Sequence, residues 1–208
     1  MLIPISTPSS FHSVGLTQLM DDFETGKAMP SFPTAQAGRC GTLPFLIRRD
    51  GTWLYRGSPI RRKPMVCLFA STLRRDAQGG YRLQTPVEEG TIEVEDAPFV
   101  VVGLEWRGCG RGQVLSFRTN VDQVVCAGAT HPIRCAWDVP CADCGTGPVP
   151  YVHVRDGDGA LPIEARITRP VYYELAALAV AGHCHGVPCL GVWSEHVFFP
   201  LSHMPDET

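Results

Sequence analysis

Between Arg48 and Arg75 the chain carries eight basic side chains and one acid, Asp50, with Trp53 and Tyr55 among them. A guanidinium grips phosphate or carboxylate with two parallel hydrogen bonds, and a flat aromatic ring offers a stacking surface. Those residue types together fit an anionic ligand, with Arg49, Arg61, Arg62 or Lys63 at a phosphate or carboxylate and Trp53 or Tyr55 stacking on a ring. The following stretch, Asp76 to Glu105, holds seven acids and one base, Arg82. The two blocks nearly cancel, so pairing between neighbouring strands accounts for them without any ligand, at about 0–1 kcal/mol per exposed pair. Within the acidic block, strand alternation puts Glu93 and Glu95 on one face and Ile92 and Val94 on the other. Two carboxylates about 7 Å apart along a strand suit general acid–base work or Mg²⁺. With Asp96 they would make a carboxylate-dependent hydrolase. The structural alternative is a solvated strand face, and no His or nucleophile lies at a telling spacing.

Cysteine and glycine motifs lead elsewhere. Cys141 and Cys144 form a single CxxC, and His183, Cys184, His185 and Cys189 could complete a zinc site in principle. No second CxxC exists. The "GTGPVP" after Cys144 forbids the helix that lowers the pKa of a thioredoxin-like cysteine. Free thiols in a reducing cytoplasm are the expectation for the odd count of nine cysteines, with no metal and no cofactor. "GCGRGQ" at 108–113 is followed by the strand-like "VLSFRTN", whereas a phosphate-binding glycine loop must open a helix. It reads as a hairpin loop. The chain contains no GxxxxGK[ST], GxSxG or HExxH, which excludes the common NTPase, α/β-hydrolase and zinc-protease readings.

These groups need elements to hold them. Of 208 residues, 44% are hydrophobic and the net charge is −3, enough for a real core and unlike a general nucleic-acid binder. "MLIPISTPSS" lacks the features of an export signal. The uncharged run "LAALAVAGHCHGVPCLGVWS" is broken by Gly and Pro and reads as a helix end followed by a loop, so no membrane span is expected. Residues 13–27 have helical spacing, and residues 28–44 read as a loop. After that, short β-rich runs dominate: "PFLIRR", "TWLYRG", "YRLQTP", "TIEVED", "FVVVGLEW", "QVLSFRTN", "QVVCAG" and "PIRCAWD". Two helices interrupt them, "KPMVCLFASTLRR" from Pro64 and "RPVYYELAALAVAG" from Pro170 to a stop at Gly182.

The helices expose a repeat. Arg49-Asp50-Gly51 recurs as Arg155-Asp156-Gly157, and Lys63-Pro64 as Arg169-Pro170, at one offset. Each copy orders strand, Asp-Gly turn, strand, basic-Pro, helix. This predicts an α+β fold of two β-rich halves, each a bent antiparallel sheet covered by a helix. The division falls near Glu88–Gly90, giving domains 1–88 and 89–208, and a seam between domains is a favoured ligand site.

The stretch from "DGTWLYRGSPIRRKPMVCLFASTLRR" through "TIEVEDAPFV", then "LSFRTN", "HPIR", "PYVHVR", "EARITRPVYYEL" and "GVWSE", resembles the bacterial domain-of-unknown-function family 1285 over residues 43–201. The resemblance implies a duplicated α+β core and a C-terminal half superficially like a pleckstrin-homology fold, closed by a helix at 171–181. It also implies a cleft between the halves for a nucleotide-like molecule and a role in signal transduction, without an established activity. Residues 138–148 depart from the family pattern as an extra loop. On that basis Trp53 and Tyr55 would stack on a ligand, and Arg61 and Arg62 would hold its anion. Glu88 and Asp96 would accept its hydrogen bonds, Thr119 and Asn120 would cap the far wall, and Arg155 would be the counterpart of Arg49. The expected protein is a cytoplasmic, non-enzymatic binder of a small anionic ligand. The alternatives are a protein–protein interaction module and the hydrolase on Glu93, Glu95 and Asp96.

Overall fold

The computed structural model describes residues 40–84, 89–137, 149–159 and 161–204. The helix expected at 13–27, Glu88, Cys141 and Cys144 lie outside the described residues. The first half builds one sheet from β1 (Cys40–Ile47), β2 (Trp53–Tyr55), β3 (Ser58–Pro59), β4 (Leu73–Arg75), β5 (Tyr81–Gln84) and β6 (Glu89–Val94). Their order across the sheet is β3-β2-β1-β6-β5-β4. The Asp-Gly signal marks the β1–β2 hairpin as expected. Gly51 takes φ +83°, and Asp50 Oδ1 accepts the Thr52 amide at 2.9 Å, an Asx turn that closes the loop. The sheet takes in β6, so it runs on to Val94.

Helix α1 (Lys63–Thr72) has Pro64 in its first turn and buries Met65, Phe69 and Ala70. Sequence periodicity carries it to Arg75, but it stops at Thr72. The Ser71 and Thr72 hydroxyls turn back to the Leu68 and Phe69 carbonyls at 2.6 and 3.0 Å. Leu73 then pairs with Leu83 as the start of β4. Local hydroxyl bonds of this kind favour a helix end.

The second half holds β7 (Phe99–Arg107), β8 (Val114–Thr119), β9 (Val124–Cys126), β10 (Ile133–Arg134), β11 (Tyr151–Asp156) and β12 (Pro162–Ile167), in the order β10-β11-β12-β7-β8-β9. "GCGRGQ" is indeed the β7–β8 hairpin loop, containing one short 3-10 turn. Helix α2 (Arg169–Ala176) buries Val171 and Leu175. A third sheet follows, from β13 (Val180–Cys184), β14 (Val187–Ser194) and β15 (Val197–His203).

This third sheet corrects the reading of "LAALAVAGHCHGVPCLGVWS" as a helix end and loop, and the helix expected at 171–181. The helix ends at Ala176 and most of the run is the β13–β14 hairpin. An uncharged run has helical and strand periodicities in equal measure, and only a partner decides between them. Here the Phe198 ring lies where a side chain on Gly182 or Gly191 would project, so two glycines on adjacent strands make room for one aromatic.

Each six-stranded sheet is mixed rather than antiparallel as expected, because β1 runs parallel to β6 and β12 parallel to β7. The protein is therefore α+β, in two halves each built on a six-stranded sheet. One continuous core joins them, including Phe45, Phe69 and Leu73 of the first half and Phe99, Phe117, Ile163 and Leu175 of the second. Each such side chain contributes about 1.5–3 kcal/mol on burial. The third sheet is pinned by Ser194, whose buried hydroxyl donates to the Ala127 carbonyl at 2.6 Å and accepts the Leu115 amide at 2.9 Å. No helix among the described residues is long and apolar enough to cross a membrane.

Candidate functional site

Five of the eight bases in the block, Arg48, Arg49, Arg61, Arg62 and Lys63, lie toward one end of the β1–β2 hairpin, whereas Arg74 and Arg75 are on β4 at the far edge of the sheet. Ile47 and Trp53 are register partners, and the Ile60 amide donates to the Trp53 carbonyl at 2.9 Å. One residue further, the Arg48 amide donates to Thr52 at 2.9 Å, which brings Arg48, Thr52 and Arg61 to one level. Two strand spacings put Arg48 and Arg61 about 10 Å apart. Arg49, Arg62 and Lys63 extend the same end, and all five bases are exposed. Arg62 also stands immediately before α1, whose first turn contains no acid. The positive end of the helix dipole therefore adds to the side-chain charge.

Little of this charge is neutralised. Lys63 Nζ meets Asp122 Oδ1 at 2.7 Å, and Asp122 belongs to the β8–β9 turn of the second half, so the basic end sits at the seam. The Arg49 backbone amide, not its side chain, donates to Glu95 Oε2 at 2.9 Å. Among the described residues, neither Arg61 nor Arg62 has a carboxylate within 4 Å.

The remaining expected ligand contacts have other surroundings. Trp53 is 1% exposed and Tyr55 9%; both lie on the Phe45–Ile47 side of the hairpin, and the Tyr55 and Phe45 rings are 5.0 Å apart. The Trp53 indole N–H has no partner among the described residues. Thr119 is fully buried, and its hydroxyl accepts the Gln123 amide at 3.1 Å to close the β8–β9 turn. Asn120 ties the halves together: its Oδ1 accepts the Val100 amide at 3.2 Å, and its Nδ2 donates to the Gly51 carbonyl at 3.0 Å. Glu93 and Glu95 are exposed. Among the described residues, no group of three or more His, Cys, Asp or Glu could hold a metal ion, His183, Cys184, His185 and Cys189 included.

Arg155 owes its position to a bulge. His153 pairs with Glu164, but the next pair is Arg155 with Ile163, so one extra residue turns Arg155 to the apolar side of the sheet. There its guanidinium lies 5.5 Å from the centre of the Phe99 ring. Its Nη2 donates to the Ala70 and Leu73 carbonyls at 2.7 and 3.0 Å. Arg155 thus caps the C-terminal end of α1 from the other half of the protein. Burial, then the nearby Arg74 charge, lowers its pKa from the ordinary arginine value.

A second polar group sits at the seam around Asp96. The Tyr151 hydroxyl donates to Asp96 Oδ1 at 2.8 Å, and Arg166 Nε lies 3.5 Å from Oδ2. Arg166 is the register partner of Tyr151. Next to them, Arg134 grips Glu164 through two bonds of 2.9 and 2.8 Å and lies 5.2 Å from the Tyr151 ring centre. Burial, helped by the hydrogen bond to Asp96 and its charge, pushes the Tyr151 phenol up to about 12. Asp96 was legible as a candidate from sequence; Tyr151, Arg166, Arg134 and Glu164 were not. Polar residues alternating with apolar ones in "PYVHVR" and "PIEARI" were the available signal.

Comparison with known proteins agrees with this architecture. A family model described as "Domain of unknown function (DUF1285), N-terminal domain" matches residues 34–97. One described as "Protein of unknown function (DUF1285), C-terminal domain" matches residues 98–201. The crystal structure of a DUF1285 family protein from Silicibacter pomeroyi DSS-3 is similar at TM-score 0.68 and 40% identity, over 86% of this chain and 90% of that one. A DUF1285 family protein from Shewanella baltica OS155 aligns at 26% identity and TM-score 0.45, over 64% of this chain and 89% of that one. No curated protein matches.

Proposed function

This chain belongs to the DUF1285 family, and from that footing we propose that it binds a small phosphate-bearing anion at the basic end of its first sheet. The observation that carries this reading is the pair Arg61 and Arg62, exposed beside the seam and free of any carboxylate within 4 Å among the described residues. Arg48, Arg49 and Lys63 widen the grip. A span of about 10 Å between Arg48 and Arg61 suits a ligand with more than one phosphate. Trp53 and Tyr55 serve this site as the packed underside of the hairpin that presents the arginines. Asp96, Asn120 and Arg155 serve it by holding the two halves in register, and Thr119 by closing the β8–β9 turn that carries Asp122. An anion at a seam shared by both halves changes how they are held, which is the physical basis for a role in signalling.

Isothermal titration with inorganic pyrophosphate and a nucleoside triphosphate tests the reading at two salt concentrations. Saturable binding that weakens with salt, and falls at least about tenfold in an R61E/R62E variant, is the expected result. Unchanged binding in that variant, or none in the wild type, rules it out.

We also read the halves as two copies of one unit, divided between the first sheet and β7. Supporting this, α1 and α2 begin 106 residues apart, at Lys63 and Arg169. Each follows a hairpin and precedes three strands. The strand pairing has diverged: β6 lies parallel to β1, whereas β12 lies parallel to β7.

A further inference from the structure

The β8–β9 turn is where the second half touches the basic end of the first. Asn120 Nδ2 donates to the Gly51 carbonyl in the β1–β2 turn at 3.0 Å. The Cys67 thiol on α1 donates to the Val121 carbonyl at 3.5 Å. Lys63 Nζ, in the first turn of α1, donates to Asp122 Oδ1 at 2.7 Å. Successive residues of one turn thus meet separate points of the other half, and the contacts differ in kind. Those of Asn120 and Val121 are half-buried and satisfy backbone carbonyls. The Lys63–Asp122 pair stands in water, its side chains 54% and 55% exposed.

The turn itself does not need the Asp122 carboxylate. It is closed by the Thr119 amide on the Gln123 carbonyl at 2.8 Å, the Asp122 amide on the Thr119 carbonyl at 3.1 Å, and the Gln123 amide on Thr119 Oγ1 at 3.1 Å. Asp122 has φ +61°, a left-handed conformation that Asn or Gly adopts at least as readily. What the carboxylate adds is a hold on Lys63. Of the bases Arg48, Arg49, Arg61, Arg62 and Lys63, Lys63 alone is ion-paired among the described residues. An Asp oxygen at 2.7 Å from an ammonium brings the same charge and acceptor that a phosphate would bring there. A phosphate arriving beside Lys63 also meets the Asp122 charge, and like charges at close range repel. An exposed ion pair is weak, whereas a ligand with two or more phosphates is gripped by several arginines at once. The pair is therefore the contact that gives way.

We propose that Asp122 is an internal competitor at the basic end: it holds Lys63 until a ligand with two or more phosphates displaces it, and the loss of this tie is how the second half registers the ligand. The inference rests on reading the basic end as an anion site. Isothermal titration of inorganic pyrophosphate into the full chain tests it in the wild type, Asp122→Asn, Lys63→Met and the double variant. Salt of about 0.15 M screens fields beyond roughly 8 Å, and Asn suits the left-handed backbone at this position, so the turn stays closed. Asp122→Asn should bind pyrophosphate about two- to fivefold more tightly than the wild type, the size of a weak exposed tie. Added to Lys63→Met, the same change should alter affinity by less than about 1.5-fold, because the tie is already gone. Unchanged affinity in Asp122→Asn, with the wild type still binding, overturns the competition and leaves the anion site standing. Equal gains with and without Lys63 overturn it too, since they report the field of one charge rather than a displaced contact. Absence of binding in all of these proteins ends both readings.

Discussion

Replacing Arg155 by Met removes the donor that caps α1 while keeping an unbranched stem against Phe99. Two carbonyls, of Ala70 and Leu73, then lose contacts of 2.7 and 3.0 Å. The Ala70 carbonyl keeps the Leu73 amide as a donor, so the loss falls on the Leu73 carbonyl, where a buried acceptor left without a partner costs about 1–3 kcal/mol, and a cation at a helix C-terminus contributes a further 0.3–1 kcal/mol or so. Against this stands the relief of no longer burying a guanidinium, the same burial that lowers its pKa. The net expectation is a loss of about 2 kcal/mol, or roughly 4–8 °C in Tm for a chain of this size. Arg155→Lys, which keeps the cation and its donors on a shorter stem without the planar fork, should lose about half as much. Urea unfolding followed by tryptophan fluorescence and by far-UV circular dichroism measures both. Because the bond crosses between halves, Arg155→Met should also separate the two probes, with the α1 half unfolding first. A variant within about 0.5 kcal/mol of wild type, with coincident transitions, would refute the reasoning: the Leu73 carbonyl would then be satisfied without Arg155.

Other perturbations probe the same seam. Gly51→Ala forces a side chain into φ +83° and against Asn120 Nδ2 and Val100 Cγ2, both 2.8 Å from the new carbon, and should cost about 2–3 kcal/mol in denaturant unfolding. Glu164→Gln weakens the double bond to Arg134, whose side chain is 65% exposed, so the loss by thermal melting should stay near 1 kcal/mol. Tyr151 ionises only near about 12 in the folded protein, against about 10 in an unfolded chain. A raised folded value means that its contribution is complete below pH 10 and disappears between pH 10 and 12, which Tyr151→Phe should abolish in alkaline unfolding curves. Burial pushes the Cys135 thiol up to about 11, whereas Cys109 and Cys126 are exposed. Mass spectrometry after brief alkylation at pH 8 should find Cys109 and Cys126 labelled well before Cys135.

Much of the frame was legible before any coordinates. The β1–β2 turn follows from Asp-Gly alone, because few other residues accept its backbone angles. The starts of both helices follow from Pro64 and Pro170, and the alternation in β6 and β8 identifies strands half buried against a core. Membership of the family was likewise readable in long blocks in one order. The uncharged run after Leu175 misled, since without charges to mark a face its periodicity is ambiguous. There Phe198, on the strand that follows, fills the space over two glycines, a packing that a helix would not offer. For candidate site residues the division is sharper. Sequence identifies residue types that can bind an anion, and it brought Arg48, Arg49, Arg61, Arg62 and Lys63 within one short stretch. It could not tell an arginine in water from an arginine holding a helix end. Arg61 and Arg155 have the same chemistry, and a single bulged residue in β11 separates their surroundings. Strand register sets which way a side chain points, and a one-residue slip reverses it. The carbonyls that Arg155 holds lie 85 and 82 residues away in the chain, so only the folded chain decides which charges remain free.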